Sequence, residues 1–100
     1  MAEKMLNSYE TSFIIDGTLD EEGVKSLQDK FTNLIAANGT EETVDEWGKR
    51  RLAYEIKDRT EGFYVLVDFK ADADFPKELD RQYKITEGIL RTIIIRKDEE

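Results

Sequence analysis

From Tyr9 to Ile15 the chain alternates, with Tyr9, Thr11, Phe13 and Ile15 on one side and Glu10, Ser12 and Ile14 on the other, which predicts a strand. Past the turn residues Asp16-Gly17 the period changes. Val24, Leu27, Phe31, Leu34 and Ile35 now share one face of a helix. Thr18 and Glu21 have the spacing of a capping box at its start, and Asn38-Gly39 can adopt the left-handed backbone that closes a helix. A second strand is expected over residues 43–56, which are rich in β-branched and aromatic side chains, with Gly48 marking a bulge or a close backbone approach. The polar run Lys57 to Gly62 reads as a hairpin loop. Phe63, Val65, Val67 and Phe69 then form an inward face against Tyr64, Leu66 and Asp68. Asp74 and Pro76 open a second helix that presents Phe75, Leu79 and Tyr83, with Ile85 closing its buried edge. In a last strand over residues 89–97, Leu90, Thr92 and Ile94 alternate with Arg91, Ile93 and Ile95.

The order strand, helix, strand, strand, helix, strand is that of the split βαβ, or ferredoxin-like, α+β fold. Right-handed crossovers put the first and third strands at the centre of a four-stranded antiparallel sheet, with both helices on one face. The opposite face then carries Ile14, Tyr64, Leu66, Ile93 and Ile95 beside Glu10, Ser12 and Arg91, and so much apolar surface predicts a cover. With 100 residues, 39% of them hydrophobic, one domain with one core is expected. Its ordered part runs from about residue 9 to 97, after a short polar N-terminus and before the acidic tail Asp98-Glu99-Glu100.

The chain has neither cysteine nor histidine. That removes disulfides, Cys and His nucleophiles, Ser-His-Asp triads and thiolate or imidazole zinc sites, and it suits a reducing, cytoplasmic setting. Met1 to Tyr9 contains no apolar run of the kind found in signal peptides. The carboxylate groups Asp20-Glu21-Glu22 and Glu41-Glu42 could serve acid–base or hard-metal chemistry, but at element starts they read more simply as helix-dipole partners and solvated charge. The 6 glycines are scattered singly, so there is no phosphate-cradling loop. No enzymatic activity, cofactor or metal is expected.

Charge adds a puzzle. A net charge of -8 should repel bare phosphate, yet the excess acid is all in the first half, since residues 1–46 hold 3 basic and 11 acidic side chains and residues 47–100 hold 12 of each. Lys49, Arg50, Arg51, Lys57 and Arg59 form the most basic stretch, interrupted only by Glu55 and Asp58. Gly62-Phe63-Tyr64 resembles the RNA-recognition signature of the third strand in a fold of the same element order, but Glu61 stands where a basic residue is wanted. Tyr64 is more simply a sheet aromatic that packs against protein.

The run Trp47-Gly48-Lys49-Arg50-Arg51-Leu52-Ala53-Tyr54-Glu55-Ile56, with Glu61-Gly62-Phe63-Tyr64-Val65-Leu66, Tyr9-Glu10 and Ile85-Thr86-Glu87-Gly88-Ile89-Leu90-Arg91, closely resembles the family of the sixth protein of the bacterial small ribosomal subunit. The resemblance spans roughly Tyr9 to Lys97. It implies the ferredoxin-like fold, and binding to the central domain of small-subunit ribosomal RNA jointly with the eighteenth small-subunit protein. A basic partner would then neutralise phosphate that this acidic chain cannot. The residues implied for RNA are Arg91, Arg96, Lys97, Lys49 and Arg51; those implied for the partner protein are Trp47, Arg50, Tyr64, Leu66 and Ile93. Position alone equally permits Arg50 and Arg51 as solvated charges guarding an edge strand, Trp47 as core, and the last-strand cations as a plain basic rim. The family often carries a longer C-terminal tail than the Asp98-Glu99-Glu100 seen here. Two other functions are compatible with the element order. A metabolite-binding regulatory module would want more glycine than Asp16-Gly17 offers after the first strand, and an acylphosphatase-like enzyme would want an arginine there.

Overall fold

A computed structural model describes residues 6–97, apart from the side chain of Glu42; the N-terminal residues 1–5 and the acidic tail Asp98-Glu99-Glu100 lie outside the described residues. The elements are β1 (Asn7–Asp16), α1 (Glu21–Asn38), β2 (Gly39–Ile56), β3 (Arg59–Ala71), α2 (Phe75–Ile85) and β4 (Ile89–Arg96). They form a four-stranded antiparallel sheet in the order β2-β3-β1-β4, with β1 and β3 central as the ferredoxin-like order requires.

Both helices lie on the face that carries Tyr9, Thr11, Phe13 and Ile15. Phe13 and Phe31 are fully buried, and both pack on Tyr83: the Phe31 and Tyr83 rings lie 4.5 Å apart and Phe13 is 5.5 Å from each. A second aromatic group joins Phe69 to Tyr9 by stacking at 5.5 Å and to Phe75 edge-on at 5.9 Å. One polar chain crosses this core. The Thr11 hydroxyl donates to the Ile93 carbonyl at 2.9 Å, so the Tyr83 hydroxyl, 3.0 Å away, is the donor to Thr11 Oγ1. The link ties α2, β1 and β4 together while leaving no buried hydroxyl unsatisfied, and burial pushes the Tyr83 phenol above its usual range.

Several local expectations are corrected. Thr18 does not cap α1; Asp20 does, its Oδ1 accepting from the Gly23 amide at 2.8 Å. Thr18 is drawn instead to Asp16 Oδ1, which takes its amide at 2.9 Å and its hydroxyl at 2.8 Å. Gly39 is extended rather than left-handed, and its small size matters because a Cβ would stand 2.1 Å from the Lys70 carbonyl oxygen. The expected loop from Lys57 to Gly62 is a two-residue turn, Lys57-Asp58, after which Arg59 pairs with Ile56. Asp74 makes no side-chain cap on α2, because Asp72 Oδ1 accepts from the amides of Asp74 and Phe75. Ile85 does not close the buried edge of α2; it is 62% exposed.

Asp16 also receives the Arg59 Nε–H at 2.9 and 3.1 Å, which straps the end of β1 to the start of β3. Burial opposes the Asp16 charge, but the Thr18 and Arg59 hydrogen bonds outweigh it and hold the carboxyl below its ordinary value of 3.8. A group depressed in the folded state stabilises above its unfolded value and loses that contribution as pH falls through the folded value. Between pH 6 and pH 3, urea unfolding of the wild type should therefore lose more stability than that of Asp16→Asn. Parallel pH profiles would mean that Asp16 contributes no such linkage.

Candidate functional site: the uncovered sheet face

The face opposite the helices is built by strand alternation and then modified by register irregularities, three of which lie around its apolar part. In β2, Glu46 pairs with Val65 and Gly48 with Tyr64, which leaves Trp47 as an extra residue beside a glycine at φ 81°. A bulge of this kind re-aims a side chain. The indole lies parallel to the Tyr64 ring, with centroids 6.2 Å apart and planes at 9°, and its N–H donates to Asp45 Oδ2 at 2.9 Å. Trp47 is 49% exposed, so it is not core. In β4 the register shifts between Ile14↔Arg91 and Ile15↔Ile89. Leu90 was expected on the helix-covered face with Thr92 and Ile94; the shift turns it to the open face, where it packs on Ile14 and Leu52, and Ile89 joins the main core in its place.

The third irregularity lies between Arg51↔Glu61 and Ile56↔Arg59, five steps along β2 against two along β3. Leu52, two residues after Arg50, keeps to the open face by alternation and packs there with Ile14 and Leu90. Gly62 makes room for this cluster, since a Cβ there would meet Ile14 Cγ2 at 2.3 Å. Tyr54 follows on the same side and its hydroxyl accepts from the Arg91 guanidinium. Tyr54 was not among the expected site residues, although its alternation with Leu52 was the available signal.

Between these features lie two shallow depressions sharing Ser12 and Tyr64. One, of about 320 Å³, is lined by Glu10, Trp47 and Leu66 as well; the other, of about 300 Å³, by Ile14, Arg91 and Ile93. Ile93 and Ile95 are 46% and 50% exposed beside them. Trp47, Tyr64, Leu66 and Ile93, expected to meet a partner protein, therefore share one surface, and Arg50 joins their register opposite Gly62.

The five cations expected to meet RNA are not brought together. Arg91 and Lys97 belong to the open face, and Lys97 Nζ pairs with Asp68 Oδ1 at 3.1 Å. The Thr43 hydroxyl, donating to Asp68 Oδ2 at 2.9 Å, is the chief cause of the lowered Asp68 pKa; burial opposes it and Lys97 adds to it. Lys49 and Arg51 alternate onto the helix side of edge strand β2, where Lys49 sits 5.9 Å over the Phe63 ring and 3.5 Å from Glu61. Arg96, opposite Tyr9 in the register, donates to Asn7 Oδ1 at 3.2 Å. Arg50 and Arg51 are exposed, and among the described residues neither has a side-chain hydrogen bond or ion pair. Among those same residues no group of three or more His, Cys, Asp or Glu side chains could hold a metal, and no helix is long and apolar enough to cross a membrane.

Residues 8–96 match the family model for ribosomal protein S6. The chain is 51% identical over 94 residues to the small ribosomal subunit protein bS6 of Alkaliphilus metalliredigens, with 94% of this chain and 100% of that one covered. It is 53% identical over 95 residues to the bS6 protein of Thermoanaerobacter pseudethanolicus, at the same coverage. Its fold is similar to the crystal structure of 30S ribosomal protein S6 from Thermotoga maritima, with a TM-score of 0.87, 32% identity, and 93% of this chain and 89% of that one covered. These relatives are ribosomal proteins and not enzymes. With the family model spanning nearly the whole described fold and the relatives half identical along their length, the chain belongs to the ribosomal protein S6 family of the small ribosomal subunit.

Proposed function

We propose that this chain acts as one domain on the cytoplasmic ribosome and binds the central domain of small-subunit ribosomal RNA jointly with the eighteenth small-subunit protein. The observation that carries this reading is the apolar stripe of exposed Trp47, Ile93 and Ile95 with half-buried Tyr64 and Leu66, on a chain of net charge -8. Surface of this kind calls for a protein cover. Acid of this magnitude calls for a basic cover wherever phosphate is near. Trp47, Tyr64, Leu66, Ile93 and Arg50 are assigned to the partner. Arg91, Arg96, Lys97, Lys49 and Arg51 are assigned to RNA, and their dispersal over both sides of the sheet suits an RNA that wraps the edges of the domain while the partner occupies its open face. No cofactor or small-molecule substrate enters this role.

A gel shift with a central-domain RNA fragment tests it, comparing this protein alone, the basic partner alone, and the pair. The expected result at physiological salt is little shift by this protein alone and a discrete shift by the pair. Tight binding by this protein alone, or no shift by the pair with both proteins folded, rejects joint binding; the second result returns the fold to the metabolite-binding reading.

A further inference from the structure

At the end of the sheet where the β2–β3 hairpin turns, Lys57 and Asp58 have φ of 51° and 66°. Two-residue turns that need positive φ at both positions favour Asn-Gly, and a lysine in the first of them is a less comfortable occupant. Strain of this sort often marks a side chain held for use. Lys57 turns back over β4, with Nζ 3.5 Å from the Ile89 carbonyl oxygen. There, with Lys84, Thr86, Ile89, Arg91 and Thr92, it lines a cavity of about 190 Å³.

The charges around this cavity are unevenly compensated. Lys84 is paired with Asp80 at 2.9 Å. Lys57 meets only a carbonyl and Arg91 only the Tyr54 phenol, so among the described residues neither has a carboxylate partner, in a chain where 23 acids face 15 bases. The C-terminus of α2 brings partial negative charge nearby, but Thr86 satisfies it, its hydroxyl donating to the Gln82 carbonyl at 2.6 Å and its amide to Tyr83 at 3.3 Å. Lys30 Nζ donates to that same Thr86 hydroxyl at 2.9 Å and adds a further cation beside it.

We infer that this cavity is a phosphate site, in which Lys57 and Arg91 clamp a backbone phosphate of the RNA and Lys84 stands at the rim. The assignment rests on the RNA-binding role proposed above. Such a contact positions the nucleic acid and reads no sequence. Because Arg91 also lines the open-face depression, the contact sits beside the surface assigned to the partner and sets RNA and protein in one register.

Lys57→Asn separates the charge from the turn, since Asn accepts positive φ. The variant should melt at or above the wild-type temperature. With the partner present it should bind the central-domain fragment about 5-fold more weakly, uniformly across RNA sequences, and its log affinity should fall with log salt about one unit less steeply. Wild-type affinity and salt slope in the variant would overturn the site while leaving joint RNA binding intact. No binding by the wild-type pair would overturn both. Inorganic phosphate, titrated against the amide resonances of Lys57 and Arg91, distinguishes a free-anion site. Saturation there together with an unchanged RNA salt slope would also overturn the assignment.

Discussion

Truncating Phe13 to Ala is expected to lower the unfolding free energy by about 3–5 kcal/mol. The ring is fully buried on central strand β1 and lies 5.5 Å from both Phe31 and Tyr83, the residues through which α1 and α2 grip the sheet. Strands on both sides of β1 hold its backbone in register, so the cavity cannot collapse without moving the sheet. A domain of this size has roughly 5–15 kcal/mol of total stability, so the variant should be near the edge of folding at physiological temperature. Urea denaturation followed by tryptophan fluorescence checks the figure, with an unchanged m-value showing that the loss is in the native packing. A loss under about 1 kcal/mol would mean that the two helices are held to the sheet by other contacts.

The second large effect should appear in binding rather than folding. Trp47→Ala is expected to weaken the joint complex with the partner and RNA by about 2 kcal/mol or more, roughly 30-fold. In the free chain the indole has a parallel stack on Tyr64 and one hydrogen bond to Asp45, and almost half of it remains exposed. A pair of this kind is worth about 0.5–1.5 kcal/mol, so the melting temperature should move by about 2–12 °C, with the variant still folded. A large flat aromatic held rigid at the rim of an apolar depression has most of its burial still to gain. Gel-shift titration of the pair, with melting curves run on the free variant, separates the two effects. A change of less than about 3-fold in a folded variant would place the partner away from the β2 side of the open face.

Much of this architecture is set by short-range pattern. Alternation along β1 and β3 depends only on the two-residue pleat, and the apolar face of α1 only on the helical turn, so both are visible without knowing what packs where. The element order and right-handed crossovers then confine the topology, and the observed order β2-β3-β1-β4 follows. The expectation that Ile85 closes the buried edge of α2 fails, because it stands two positions beyond Tyr83, about 200° round the helix from it, on the exposed side.

The local devices that shape the open face were not legible, because each is decided by residues distant in sequence. Thr18 could cap α1 or bind Asp16, and the choice falls to Asp16, a carboxylate anchored by Arg59 from 43 residues away. Leu90 follows the helix-side alternation on its own strand, and only the shift in pairing between β4 and β1 turns it to Ile14 and Leu52. Gly48 announced an interruption but not its aim; the direction of Trp47 comes from its standing unpaired between Glu46, opposite Val65, and Gly48, opposite Tyr64. The strands, the helices, their order and the acidic balance could all be read along the chain, because each rests on short-range pattern or composition. Which cations meet, and how Trp47 and Leu90 are aimed on the open face, depends on long-range pairing, because bulges and ion pairs are set by competition between strands whose partners lie far apart along the chain.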